Sequence, residues 1–143
     1  MFSGCTSLVN IPSILPATTL ASNCYEGMFN GCTSLTTTPV LPATSLATEC
    51  YFSMFKGCTS LINAPKLPAT ILLSSCYKEM FYNCTSLTEM PELPATTLDG
   101  ACYYGMFNGC SSLITAYDLP ATTLAYNCYY CMFANCTSLV HPP

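Results

Sequence analysis

The sequence predicts an α/β solenoid of about five and a half 26-residue coils, with short parallel β-strands on one face and short helices on the other. The pair Met-Phe recurs at steps of 26 residues after a first step of 27. Its copies begin at Met1, Met28, Met54, Met80, Met106 and Met132. A period of about 20 to 50 residues is typical of stacked repeats, because one such unit is too small to bury its own apolar face. A position limited to Gly and Asn and a Leu-Pro-Ala-Thr motif then predict the elements of each coil.

A helix of about two turns is predicted before the Gly-or-Asn position. Cys50 and Met54 are four residues apart, as are Tyr51 and Phe55, which would place them on one side of a helix facing the core. Gly and Asn adopt positive φ most readily, so we expect a left-handed helix cap three residues after each Met. These caps are Gly4, Gly31, Gly57, Asn83, Gly109 and Asn135.

A short β-strand is predicted after each cap. Residues 36–41 are largely β-branched and too few for a helix. Stacked coils would pair such strands in parallel, about 4.8 Å apart. Pro39 and its equivalents remove a donor from the ladder, so the strand should be short. Leu-Pro-Ala-Thr would then turn the chain toward the next helix, since Pro fixes φ and Thr can cap.

The charged residues all occupy positions that vary from coil to coil. The position before Leu-Pro is filled by Ile14, Val40, Lys66, Glu92 and Asp118. The pair between Tyr and Met is filled by Glu26-Gly27, Phe52-Ser53, Lys78-Glu79, Tyr104-Gly105 and Tyr130-Cys131. We expect both sets to face solvent. The first set would lie on the strands and the second on the helices, so the two would mark opposite faces.

Composition argues against several classes of function. The net charge is -4 and the three basic residues, Lys56, Lys66 and Lys78, are scattered, so nucleic acid is not an expected partner. No window approaches the 18 apolar residues of a membrane span, and membrane insertion is not expected either. One His, no Gly-rich phosphate loop and no paired carboxylates at fixed positions argue against an enzyme or a cofactor site.

The motif Phe-x-Gly/Asn-Cys-Thr-Ser-Leu, followed by a short stretch and Leu-Pro, resembles the BspA-like leucine-rich repeat of bacterial cell-surface proteins. Phe29, Cys32, Leu35, Leu41 and Pro42 match that family's helix aromatic, buried cysteine, strand leucines and post-strand proline. The resemblance covers essentially the whole chain, although the unit here is longer and carries a second Cys. It implies a leucine-rich-repeat type of fold and a secreted or surface-displayed, adhesin-like protein. It supplies no catalytic residues.

Eleven of the twelve cysteines fall into two ladders, one at the position of Cys32 and one at that of Cys24. Their spacing of eight residues permits one disulfide per coil in an oxidising compartment, or two ladders of buried thiols acting as small hydrophobes. Cys131 stands outside both ladders. Cys128, Cys131, Cys136 and His141 have the spacing of a zinc knuckle, but two of these cysteines are ordinary repeat positions, so we expect no metal site.

Two functions remain. Residues 1–143 read as a single repeat array, expected to be a piece of a longer array without caps. The first hypothesis is a non-catalytic module that binds a protein or glycan on host or bacterial surfaces. The exposed variable positions would contact that ligand: Lys66, Glu92, Asp118, Tyr104 and Tyr130. The second hypothesis is a structural module whose open ends stack molecules into a filament.

Overall fold

A computed structural model describes residues 1–143, and in it the 26-residue repeats lie directly on one another. Strand β1 (Ile71–Leu72) pairs in parallel with β2 (Thr97–Leu98), with Ile71 opposite Thr97. The sequence offset between the paired residues equals the repeat length. Isolated parallel bridges with the same offset join Thr19 to Ser45 and Thr97 to Thr123. The prediction of a repeat of about 26 residues is therefore confirmed.

The predicted α/β solenoid with helices is wrong. The chain contains no helix, and β1 and β2 are its only strands. No helix able to cross a membrane is present. Where helices were expected, each coil forms a series of overlapping turns that we call the turn ribbon. It comprises residues 23–32 and the equivalent residues 49–58, 75–84, 101–110 and 127–136.

The main chain of the turn ribbon alternates between two kinds of hydrogen bond. The Glu26 N–H donates to the Asn23 carbonyl at 3.2 Å and so closes a turn within its own coil. The Tyr25 N–H donates instead to the Cys50 carbonyl in the next coil at 3.0 Å. Alternate N–H groups therefore link neighbouring coils. An α-helix cannot do this because its interior N–H groups are all used within the helix.

Positive φ angles recur every four residues along the turn ribbon and prevent an α-helix from forming. In the first ribbon these residues are Asn23, Gly27 and Gly31, with φ of 60°, 55° and 72°. The four-residue spacing that suggested one helix face is real, but it arises from turns that repeat with that period. The six predicted cap residues all have φ between 58° and 79°. No helix ends at them, so they are turn residues and not helix caps.

The predicted strands are also misplaced. Residues 36–41 form no strand, and this part of the coil has only isolated bridges such as Ile14 to Val40 and Asn63 to Glu89. The two short strands lie after Leu-Pro-Ala-Thr, where a turn was expected. We call residues 36–48 and the equivalent residues 62–74, 88–100 and 114–126 the proline segments. Their prolines have no N–H to donate to a neighbouring strand. Regular pairing is therefore limited to the two residues after Leu-Pro-Ala-Thr, as in Ile71–Leu72 and Thr97–Leu98.

The core lies between the turn ribbons and the proline segments and is a stack of identical side chains. Phe55 stacks between Phe29 and Phe81, with ring centroids 5.6 and 5.7 Å apart. Tyr51 and Tyr77 stack in a parallel ladder at 5.8 Å. Leucines from the proline segments, among them Leu41, Leu67 and Leu93, complete the same buried cluster, together with Leu35 and Leu61 just before these segments. Each coil thus buries its apolar face only against its neighbours.

The cysteines are unpaired thiols in this structure. In the ladder of Cys32, each thiol after Cys5 donates to the carbonyl of the Phe one coil earlier. The distance is 3.1 Å from Cys32 to Phe2 and from Cys58 to Phe29. The same Phe29 carbonyl also accepts the N–H of Cys32, so both of its lone pairs are used. A cysteine at this position is therefore a small apolar group that also links two coils.

Candidate functional site

A groove of about 520 Å³ crosses the third, fourth and fifth coils on the side of the proline segments. Leu67 and Met90 are buried at its base. Four prolines from two neighbouring coils line it: Pro65, Pro68, Pro91 and Pro94. Because a proline ring fixes φ, the groove has rigid walls before any ligand is present.

The groove exists because the coils do not pair their main chains here. Residues 65–68 and 91–94 form no hydrogen bond within the chain. Two residues in each segment are prolines without an N–H, so a continuous ladder is impossible. The N–H groups of Lys66, Leu67, Glu92 and Leu93 therefore remain without a partner from the chain. Of these residues Lys66 and Glu92 are exposed, so their main-chain groups are available to a ligand.

The structure brings three of the five predicted binding residues together in this region. Lys66 and Glu92 line the groove, and Asp118 joins Glu92 in an adjoining cavity of about 190 Å³. All three are exposed, and so are Ile14 and Val40 at the same position of earlier coils. The only ion pair of the chain joins Lys56 to Glu79 elsewhere, at 2.7 Å. The charges along the groove are thus neutralised neither by one another nor by other side chains.

Tyr117 completes the groove and was not predicted as a site residue. It stands at the position that Pro39, Pro65 and Pro91 occupy in other coils, and its side chain is 41% exposed. Its N–H donates to the Met90 sulfur at 3.4 Å, which fixes the backbone of this residue against the neighbouring coil. The departure from Pro in a repeated position was the sequence signal that could have revealed it.

The other two predicted binding residues, Tyr104 and Tyr130, lie on the turn ribbon and not in the groove. Their rings stack at 5.0 Å, and the Lys78 ammonium lies 5.0 Å from the Tyr104 ring. A contact with the Cys131 thiol raises the pKa of the Tyr130 hydroxyl. The expectation that both members of each pair face solvent is wrong for Ser53 and Gly105, which are buried.

The buried thiols of Cys50 and Cys58 offer little chemistry. Burial raises the pKa of the Cys58 thiol to about 12 and that of the Cys50 thiol to about 11, so both stay protonated at neutral pH. A protonated, buried thiol is neither a nucleophile nor a metal ligand. No group of three or more His, Cys, Asp or Glu side chains is gathered where it could hold a metal ion, and this includes the set with zinc-knuckle spacing.

The sequence matches no protein-family model and no curated protein, and the structure matches no solved structure. The groove and its uncompensated charges are therefore the features of the molecule from which a function can be argued.

Proposed function

We propose that this protein is a non-catalytic binding module that recognises a protein or glycan ligand through the groove between its prolines. The observation that carries the proposal is the placement of Lys66 and Glu92 on neighbouring coils, exposed and unpaired, in a preformed groove of about 520 Å³. Preformed concave sites with a few polar groups are where proteins bind ligands. Rigid walls reduce the entropy lost when a ligand is ordered.

The distribution of constant and variable residues supports this proposal. Constant positions such as Phe55, Cys58 and Leu61 are fully buried and hold the coils together. The position of Lys66 changes from coil to coil and is exposed in every one. Repeat proteins build recognition surfaces in this way, because exposed residues can vary without cost to the stack.

The resemblance to BspA-like repeats supports a location on the cell surface or outside the cell. Membership of that family and an adhesin-like role are part of the same proposal. The motif on which the resemblance depends includes Phe29, Cys32 and Leu35, all of them buried. A binding role for the groove does not depend on this location.

The proposal is tested by screening the purified protein against a glycan array and against extracts of host matrix and bacterial surface proteins. A ligand found in either screen should lose most of its affinity with Lys66→Ala and with Tyr117→Ala. Tyr130→Ala, on the turn ribbon, is the matched control and should bind as the wild type does. A folded protein that binds nothing in either screen, or a ligand insensitive to both groove variants, would contradict the proposal.

A second candidate, self-assembly, is favoured by one observation at the last turn ribbon. The five N–H groups of residues 127, 129, 131, 133 and 135 donate to no acceptor, whereas their equivalents in earlier ribbons donate to the next coil. At the other end, the carbonyls of Cys24 and Glu26 accept no hydrogen bond. A further repeat or a second copy of the chain would pair such groups. Light scattering at high protein concentration tests this candidate. A monodisperse monomer under these conditions would contradict self-assembly.

A further inference from the structure

We propose that the occupant of the groove is an extended peptide segment in which an acidic and a basic side chain lie two or three residues apart. This inference rests on the proposed function and names the ligand class for the same site. The acidic side chain would meet Lys66, and the basic one would meet Glu92 and Asp118. A glycan is the competing class of ligand.

Charge is the first argument for a peptide. Lys66, Glu92 and Asp118 occupy the same position of successive coils, so the groove has one positive end and a doubly negative end. None of the three has an ion-pair partner. A neutral glycan has no charges to match this arrangement. A peptide with side chains of both signs is complementary to it.

Spacing is the second argument. Equivalent rings of neighbouring coils lie 5.6 to 5.8 Å apart, so one step of this size separates Lys66 from Glu92 and two steps separate Lys66 from Asp118. An extended chain advances about 3.3 Å per residue. Two to three residues of an extended peptide therefore cover the distance from the positive to the negative part of the groove.

The free main chain is the third argument. Lys66 and Glu92 are exposed residues whose main-chain N–H groups and carbonyls have no partner in the chain, so each offers a donor and an acceptor. An extended peptide presents alternating donors and acceptors of its own and can satisfy both kinds. Tyr117, partly exposed beside Met90, offers an apolar ring for one further side chain of the peptide.

The test is selection of random ten-residue peptides displayed on phage, carried out in parallel on the wild type and on Lys66→Glu. Lys66 is exposed, so the variant should fold. Wild type should enrich peptides with an acidic and a basic residue two or three positions apart. Lys66→Glu makes the groove uniformly acidic and should instead enrich peptides with two basic residues. Synthetic peptides of the two classes should then change their order of affinity by about three- to ten-fold between the proteins, as expected for exposed ion pairs made and reversed.

Several outcomes would overturn the inference. One is enrichment without a charge pattern, and another is the same enriched set for both proteins. A third is enrichment that Tyr117→Ala leaves unchanged while Tyr130→Ala abolishes it, which would place the site on the turn ribbon. Selection of no peptide, together with a glycan whose binding requires Lys66 and Tyr117, would refute the peptide and leave the proposed function standing. Failure of every ligand would refute both.

Discussion

The turn ribbon and the proline segment of a coil differ in how their main chains are paired. In residues 49–58, five N–H groups donate to the next coil and the other five close turns within their own coil. In residues 65–68 and 91–94, no main-chain group is bonded within the chain. One side of the molecule is thus tied together by hydrogen bonds and buried aromatic rings. The other side has fewer hydrogen bonds between coils, such as those of β1 with β2, and a groove lies where its prolines interrupt the pairing.

This difference separates stability from recognition. The turn ribbon contributes the stacked Phe and Tyr rings and the thiol ladder, and its constant residues are buried. The proline segment carries the exposed position that changes from Ile14 to Asp118 along the array. We therefore expect substitutions in the ribbon core to affect unfolding, and substitutions in the groove to affect binding alone.

The largest expected effect is that of Phe55→Ala. The Phe55 side chain is fully buried and stacks on rings in both neighbouring coils, so its loss leaves a cavity in the centre of the array. We expect the free energy of unfolding to fall by about 3–5 kcal/mol. Ile62→Ala is the control, since Ile62 is exposed in the proline segment and should cost far less. Urea denaturation followed by circular dichroism gives both values. Equal losses in the free energy of unfolding would contradict the division into a stabilising turn ribbon and a proline segment that serves binding.

Gly57→Val tests the turn geometry of the ribbon. Gly57 has a φ of 72°, and a Cβ added there would meet no atom closer than 3.7 Å, so backbone strain is the first cost of a substitution. We expect Val to cost about 1–3 kcal/mol. Gly57→Asn should cost much less, because Asn83 and Asn135 hold the same conformation. Thermal melts compare the two variants. Equal melting temperatures would mean that positive φ at this residue is not required.

Alkaline pH should weaken the ribbon core. Burial raises the pKa of the Cys58 thiol to about 12 from its ordinary value of 9.0. Between these values the unfolded chain ionises and the folded one does not, so stability is fully present below pH 9 and is lost as pH rises toward 12. The expected loss for this thiol is about 1.4 kcal/mol per pH unit. Denaturation of wild type and Cys58→Ala at pH 8 and pH 11 measures it: the gap between them should narrow at pH 11, and a constant gap would contradict the assignment.

Tyr77→Phe should have a smaller effect on the free energy of unfolding, and it should increase stability. The Tyr77 hydroxyl is buried and has no hydrogen-bond partner, so removing it relieves a desolvation penalty without disturbing the ring ladder. We expect a gain of about 1 kcal/mol in the free energy of unfolding. Chemical denaturation measures it. A loss of stability would instead reveal that the hydroxyl is bonded to an ordered water.

The smallest effect on stability is expected in the groove. Lys66→Ala and Glu92→Ala remove exposed, unpaired charges and should change the free energy of unfolding by less than about 0.5 kcal/mol. Denaturation curves test this expectation alongside the binding measurements. A cost above 1 kcal/mol would show that these charges stabilise the stack, and the division between a structural ribbon and a recognition groove would then fail.

The sequence by itself determined the repeat and the positions in it that matter. The spacing of Met-Phe set the 26-residue register in which Ile71 pairs with Thr97. Restriction to Gly and Asn marked a residue with positive φ, because few other residues adopt that conformation readily. Variation before Leu-Pro identified the exposed ladder of Lys66 and Glu92. These features are local or periodic, so a single chain reveals them.

The conformation of the main chain between those positions is set by the tertiary structure and could not be predicted from the sequence. Cys50 and Met54 lie on one side of a ribbon of turns as they would on a helix, so periodicity alone could not distinguish the two. The choice depends on Glu49 and Ser53, which adopt positive φ although their residue types do not favour it. Each such residue lets an N–H group bond to the neighbouring coil, a partner absent from any isolated repeat. The groove likewise depends on two adjacent coils whose prolines leave main-chain groups unpaired, and Tyr117 becomes part of it only when the coils stack.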